Sequence, residues 1–193
     1  MTVFSLPCCK TLRHLLNAVW LILAGLAPLT SVAEGLAVKK AELVVHDDAY
    51  VLQANFDIEL GKPLEDALDK GINLNFLVEL EVTRPRWYWV DENIAALRQH
   101  VRISYHALTR QYQVTRNSNN QSFSSLAEAR DELKRLTDWK VFERSLLKKG
   151  TAYQAALRMK LDIKYLPKPL QVDALGNKEW DLSTEWFRFP LTP

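Results

Sequence analysis

The chain is organised by an alternation of apolar and polar residues with a period of two, repeated in four separate stretches. From Leu52 to Leu60 the even positions are Leu52, Ala54, Phe56, Ile58 and Leu60, with Gln53, Asn55, Asp57 and Glu59 between them. From Ile72 to Val82 the even positions are again apolar, and Leu77 is the one odd position that breaks the rule. Val101, Ile103, Tyr105 and Ala107 alternate with Arg102, Ser104 and His106; Tyr153 to Tyr165 repeats the pattern, with Arg158, Lys160 and Lys164 on its polar side. Successive side chains of a strand point to opposite faces, so each stretch predicts a strand with one face to a core and one to water, as in antiparallel sheets.

Weaker signals fill the intervals. Ala41, Leu43 and Val45 predict a first strand that turns at His46-Asp47-Asp48-Ala49 into the second. Tyr112 and Val114 predict a hairpin with the Val101 strand, and Trp87–Val90, after Pro85, reads as extended. The apolar phase of Ile94–Gln99 disagrees with that of Val101, which leaves a β-bulge or a short helical turn open. Ser125-Leu-Ala-Glu128 is a capping box opening an amphipathic helix to about Thr137, and Pro63–Gly71 has the start and stop residues of a two-turn helix. The polar tract Asn117–Ser122 reads as the loop before the longer helix. Together these predict a mainly β, antiparallel two-layer sandwich of seven or eight strands with two short helices, an α+β arrangement being the alternative.

The polar faces add a pairing rule. Asp57, Glu59, Glu79 and Glu81 make two strands acidic on the outside, whereas Arg158, Lys160 and Lys164 make another basic. Opposite charges across neighbouring strands stabilise by about 0.2–1 kcal/mol and like charges repel, so the basic strand is expected beside an acidic one.

Composition matters chiefly at the N-terminus. Lys10 and Arg13 precede an apolar run from Leu15 to Leu29, and Thr30-Ser31-Val32-Ala33 supplies small residues before Glu34. This is the three-part pattern of a secretory signal peptide, shorter than a comfortable membrane span, with cleavage expected between Ala33 and Glu34. Retention of the leader as an N-terminal anchor, the one route to membrane contact, is the alternative. Cleavage would remove both cysteines, Cys8 and Cys9, and lower the 25 basic residues to 23, equal to the 23 acidic ones. The exported domain, residues 34–193, would be charge-balanced and free of thiols, which excludes disulfides and Cys-ligated metals. The chain's formal charge of +2 gives no concentrated basic face of the kind nucleic-acid binding needs. The expected location is the periplasm or the medium.

Little in the sequence speaks for catalysis. There is no HExxH, phosphate loop, nucleophile elbow or EF-hand loop, and no metal or cofactor site is expected. His100 and His106 lie about 20 Å apart along one strand, too far to share a metal. His46 beside Asp47 and Asp48, and the Asp173–Glu179 stretch, are weak cation candidates that read more simply as turns. The distinctive feature is Arg84-Pro85-Arg86-Trp87-Tyr88-Trp89, since Trp and Arg are enriched at binding hot spots. The candidate binding residues are Arg84, Arg86, Trp87 and Trp89, with Arg102 and His106 on the adjoining hairpin, where Arg110 and Arg116 add to the basic character. The competing structural reading has the aromatics closing the core with Arg stacked on them.

Five segments carry a family resemblance: Ala49–Asp57, Leu64–Gly71 running into the Ile72 strand, Leu108–Val114, Leu166–Val172 and Trp180–Pro190. Through these, over about Ala41 to Pro190, the chain resembles an uncharacterised family of short exported bacterial proteins, the domain-of-unknown-function family numbered 4390. The resemblance implies an envelope protein with no assigned activity or catalytic residues, encoded near a sensor kinase pair and hence with a signalling partner. The expectation is a non-enzymatic periplasmic module that binds an envelope protein or polymer, or a membrane sensor kinase. The alternatives are a hydrolase using carboxylates or His106, and an N-terminally anchored envelope component.

Overall fold

A computed structural model describes residues 35–193; the expected leader and its cut ahead of Glu34 lie outside the described residues. The elements run β1 (Leu36–His46), β2 (Ala49–Ile58), α1 (Lys62–Asp69), β3 (Leu74–Arg84), β4 (Glu92–His106), β5 (Gln111–Arg116), β6 (Asn119–Phe123), α2 (Leu126–Leu133), β7 (Arg135–Glu143), β8 (Tyr153–Leu161), α3 (Lys168–Gly176) and β9 (Phe187–Leu191). All pairings are antiparallel. One sheet has the order β1-β2-β7, the other β6-β5-β4-β3-β8-β9.

The alternation explains the two layers. Leu52, Ala54, Phe56 and Ile58 of β2 are buried, and so are Leu74, Phe76, Val78, Leu80 and Val82 of β3 and Tyr153, Ala155, Leu157, Met159 and Leu161 of β8. These faces form one hydrophobic cluster between the sheets, joined by Leu64, Ala67 and Leu68 of α1 and Ala129 and Leu133 of α2. The Asp47–Asp48 turn joins β1 to β2 with Asp47 at φ 54°, a left-handed position that Asp tolerates. The Ser125 hydroxyl caps α2 by accepting from the Glu128 amide at 3.2 Å, while Glu128 accepts from the Ser124 amide.

The differences from the sequence reading have local causes. The described residues form nine strands and three α-helices. The tract Asn117–Ser122 is not a loop: Asn119–Phe123 pairs with β5 as an edge strand, unrecognisable by alternation because almost all of it faces solvent. The helix from Ser125 stops at Leu133, and Leu136, which continues its helical spacing, belongs to β7 beside β2. The Tyr153 strand ends at Leu161 and gives way to a 3-10 turn at Ile163–Tyr165. Trp87–Val90 is the turn of the β3–β4 hairpin, not an extended strand. Ile94–Gln99 is strand: a bulge falls at Ile94, and the phase conflict arises because Gln99, opposite Val78, is a buried polar residue in an inward register position. The basic strand does lie beside an acidic one, with Arg158 opposite Glu79.

Phe76 is fully buried on β3, which pairs on both sides. Phe76→Ala is expected to cost about 3–5 kcal/mol, read as a shift of the urea unfolding midpoint.

Candidate functional site

The β3–β4 hairpin ends in four consecutive apolar residues. Trp87, Tyr88, Trp89 and Val90 are 95%, 65%, 73% and 77% exposed. Four such side chains cannot all turn inward from a tight turn, whose backbone bends away from the sheet. The rings of Trp87 and Tyr88 meet edge-to-face at 5.2 Å, so the tip carries a small aromatic cluster of its own.

Charge holds the base of this tip. Arg84 and Arg86 both pair with Glu92 Oε2, Arg86 at 2.5 Å, and the Arg86 amide donates to Asp91 Oδ1 at 3.3 Å. The hydrogen bond from Arg86, opposed by partial desolvation and aided by both guanidinium charges, holds the Glu92 carboxyl below its usual range. Arg84 and Arg86 therefore share Glu92 at the neck while Asp91 accepts from the backbone, so the apolar tip stands on a stem whose formal charges balance.

The six sequence candidates do not form one site. Arg84, Arg86, Trp87 and Trp89 are at the tip and its neck. Arg102 stands opposite Asn75, nine residues back along β3 from Arg84, or about 30 Å away. Its Nε donates to Asn75 Oδ1 at 3.2 Å, and His106 Nε2 meets Gln113 Oε1 at 3.0 Å. Both lie on the outer face of the six-stranded sheet. Arg116 is turned the other way: it bonds Glu132 Oε1 at 2.5 Å and the Arg135 carbonyl at 2.6 Å, fastening the end of α2 to β5. It contributes nothing to a basic surface.

The outer face holds a cluster that the sequence showed only in part. Glu79 lies between Arg98 of β4 and Arg158 of β8, directly opposite each. Its carboxylate accepts from Arg158 Nη2 at 2.5 Å and Nε at 3.0 Å, and pairs with Lys160 at 3.1 Å and Arg98 at 3.2 Å. Arg158 also stacks on Trp186, 4.4 Å from the ring centroid. Burial alone would raise the Glu79 carboxyl, but the hydrogen bonds and charges of Arg158 and Lys160 outweigh it and hold the group below its ordinary value.

Residues 33–190 match the family described as a domain of unknown function, DUF4390. The chain belongs to that family. No curated protein and no solved structure matches it.

The DUF4390 domain offers no obvious catalytic arrangement among its described residues. His46 stands 3.7 Å from Asp47 in an exposed turn, His100 packs edge-on against Tyr165, and His106 meets an amide. No group of three or more His, Cys, Asp or Glu side chains is placed to hold a metal ion among the described residues. Asp173 lies in α3, and Asn177 caps the following turn by accepting from the Glu179 amide at 2.9 Å. A cleft of about 630 Å³ beside Asp48, Glu143 and Arg144 lies open on the surface.

Arg98 was missed because the Ile94–Gln99 register was ambiguous. The tip carried a usable signal: Trp-Tyr-Trp-Val lacks the alternation of a half-buried strand and is bracketed by Pro85 and Asp91.

The depressed Glu79 carboxyl sets an acid limit. As pH falls from about 4.5, its ordinary value, the unfolded chain takes up the proton before the folded one, so stability declines with falling pH. Glu79→Gln should remove that part of the acid dependence and, by leaving three cations without their counter-charge, cost about 3 kcal/mol at neutral pH. Urea titrations between about pH 3 and about pH 7 would show an unchanged acid slope in the variant if the cluster were inert.

Proposed function

We infer that this domain is a non-enzymatic interaction module of the bacterial envelope, and that the β3–β4 tip is its principal contact. The observation that carries the reading is the exposed Trp87–Val90 cluster on a stem braced by Arg84, Arg86 and Glu92. Large aromatic surface held in water is unfavourable unless something covers it, and Trp and Tyr lose little conformational freedom when they become contacts. A braced hairpin also reduces the ordering cost of association. A convex apolar tip with a neutral stem suits insertion into a recess on an envelope protein, and a membrane sensor kinase is one partner of that class. Export through the leader supplies the location, since the leader pattern accounts for both cysteines and the excess positive charge. The chain enters the described domain at Gly35, whose carbonyl bonds Glu59, at the opposite end of the sandwich from the tip.

Two measurements test this. Trp87→Ala with Trp89→Ala should abolish crosslinking to the envelope partner, each Trp contributing about 2 kcal/mol or more to binding. Thermal stability should change by no more than about 0.5 kcal/mol, because both side chains are exposed; undiminished crosslinking would refute the tip as the contact. Mass spectrometry of the exported protein should give an N-terminus at Glu34, whereas an N-terminus at Met1 would make the protein an anchored envelope component instead.

A further inference from the structure

The outer face of the six-stranded sheet carries Arg98 and Arg102 of β4 and Arg158 and Lys160 of β8 against Glu79 and Glu81 of β3, four cations to two carboxylates, and Glu81 stands opposite only Ala96 and Ala156. Arg98, Arg158 and Lys160 converge on Glu79, one carboxylate for three positive charges. Farther along β4, Arg102 has only the neutral Asn75 amide as its hydrogen-bonding partner among the described residues. The register places these groups in a flat array. Arg98 and Arg158 stand about 10 Å apart across β3, and Arg98 and Arg102 about 13 Å apart along β4. The Arg98 side chain is 74% exposed, and its Nη groups have no partner among the described residues. Glu79 holds the head groups of these side chains in place, so their remaining N–H groups are preorganised.

The rest of this face narrows the chemistry. Beside Arg102 the register continues through Thr115 to Asn120, a run of hydroxyl and amide side chains. No large aliphatic residue of β3, β4, β5 or β8 is exposed on the face, so it lacks the apolar centre of a protein interface. Aromatic surface is present instead, with Tyr165 against His100 between Arg98 and Arg102, and Trp186 against Arg158. Excess guanidinium and ammonium charge, amide and hydroxyl donors and flanking rings fit a sugar chain bearing carboxylates.

We propose that the outer face of the six-stranded sheet, centred on Arg98, Arg158 and Lys160 with Arg102 and Trp186 at its flanks, binds an acidic polysaccharide. This is a second site, separate from the aromatic tip and independent of its role. Ligand carboxylates supply the counter-charge that Glu79 and Glu81 alone cannot, and an open sheet face admits a chain without an enclosed pocket.

Affinity electrophoresis of the full chain at low salt tests the proposal, with polygalacturonate in the gel as the probe and neutral dextran as the reference. Polygalacturonate should retard the protein and dextran should not, and rising salt should weaken the retardation. Combined Arg98→Gln, Arg102→Gln and Lys160→Gln should weaken apparent affinity by about tenfold or more, as expected for a contact built from several ion pairs. Arg102→Glu alone should weaken it in the same direction while leaving the Glu79 cluster intact, which guards against misfolding of the triple variant. Trp87→Ala should retain full retardation, separating this site from the tip. Retardation equal in the wild-type and substituted chains, or none at low salt, would overturn the proposal. Displacement by poly-L-glutamate as effective as by polygalacturonate would overturn the choice of a sugar polymer in favour of an acidic protein segment.

Discussion

Glu79 occupies the middle of β3, with only 8% of its side chain exposed, and is held by cations from the strands on either side. A carboxylate so placed is costly unless each oxygen is satisfied, and here Arg158 and Lys160 from β8 and Arg98 from β4 satisfy both. The arrangement restricts register. Sliding β8 by one residue along β3 would turn its basic side chains to the core and its apolar ones to water. The same register puts Phe76, Val78 and Leu80 over the apolar face of the smaller sheet, so the ionic lock outside and the packed core inside select one alignment.

That alignment determines what each surface can offer. Because β3 and β4 are locked along their length, their connecting turn projects as a braced hairpin and not as a loose loop. The Arg84–Glu92–Arg86 pairing uses the charges nearest the turn, so its apolar residues stand without a competing charged neighbour. On the sheet face the balance is reversed: three cations share one carboxylate, and charge dominates. The two surfaces therefore differ in chemistry, although β3 and β4 build both.

Several sequence elements were legible for clear reasons. The alternations of β2 and β8 survive in the structure as more and less buried faces, because a half-buried strand imposes its period on the residues it can tolerate; in β3, flanked by strands on both sides, Asn75, Leu77 and Glu79 of the outward face are buried as well. The Ser125 cap and the Pro63–Gly71 helix follow from backbone groups that need local partners. The acidic-beside-basic rule identified β8 as a neighbour of an acidic strand, though it did not say whether of β2 or β3. The failures are equally physical. The edge strand β6 has nearly no inward residues, so it carries no alternation. In β7, Asp138 at φ 63° interrupts the period between Leu136 and Trp139, and Leu136 also satisfies the spacing of the helix before it. Gln99 is buried against expectation, and it hid the continuity of β4.

From the sequence alone came the mainly β class, the principal strands, the two readable helices and the presence of an Arg–Trp segment. These depend on patterns within ten or so residues, where a side chain's neighbours along the chain dictate its face. Which aromatics stand in water, which cations are already paired and which strand receives Glu79 were decided only by the tertiary structure. Exposure and charge neutralisation depend on groups far apart in sequence: Glu79 meets Arg158 across 79 positions, and no local pattern encodes that meeting. The Arg84–Trp89 segment therefore stood out in composition, but only folding separated its neutralised arginines from its exposed rings and carried Arg102 and His106 to another face.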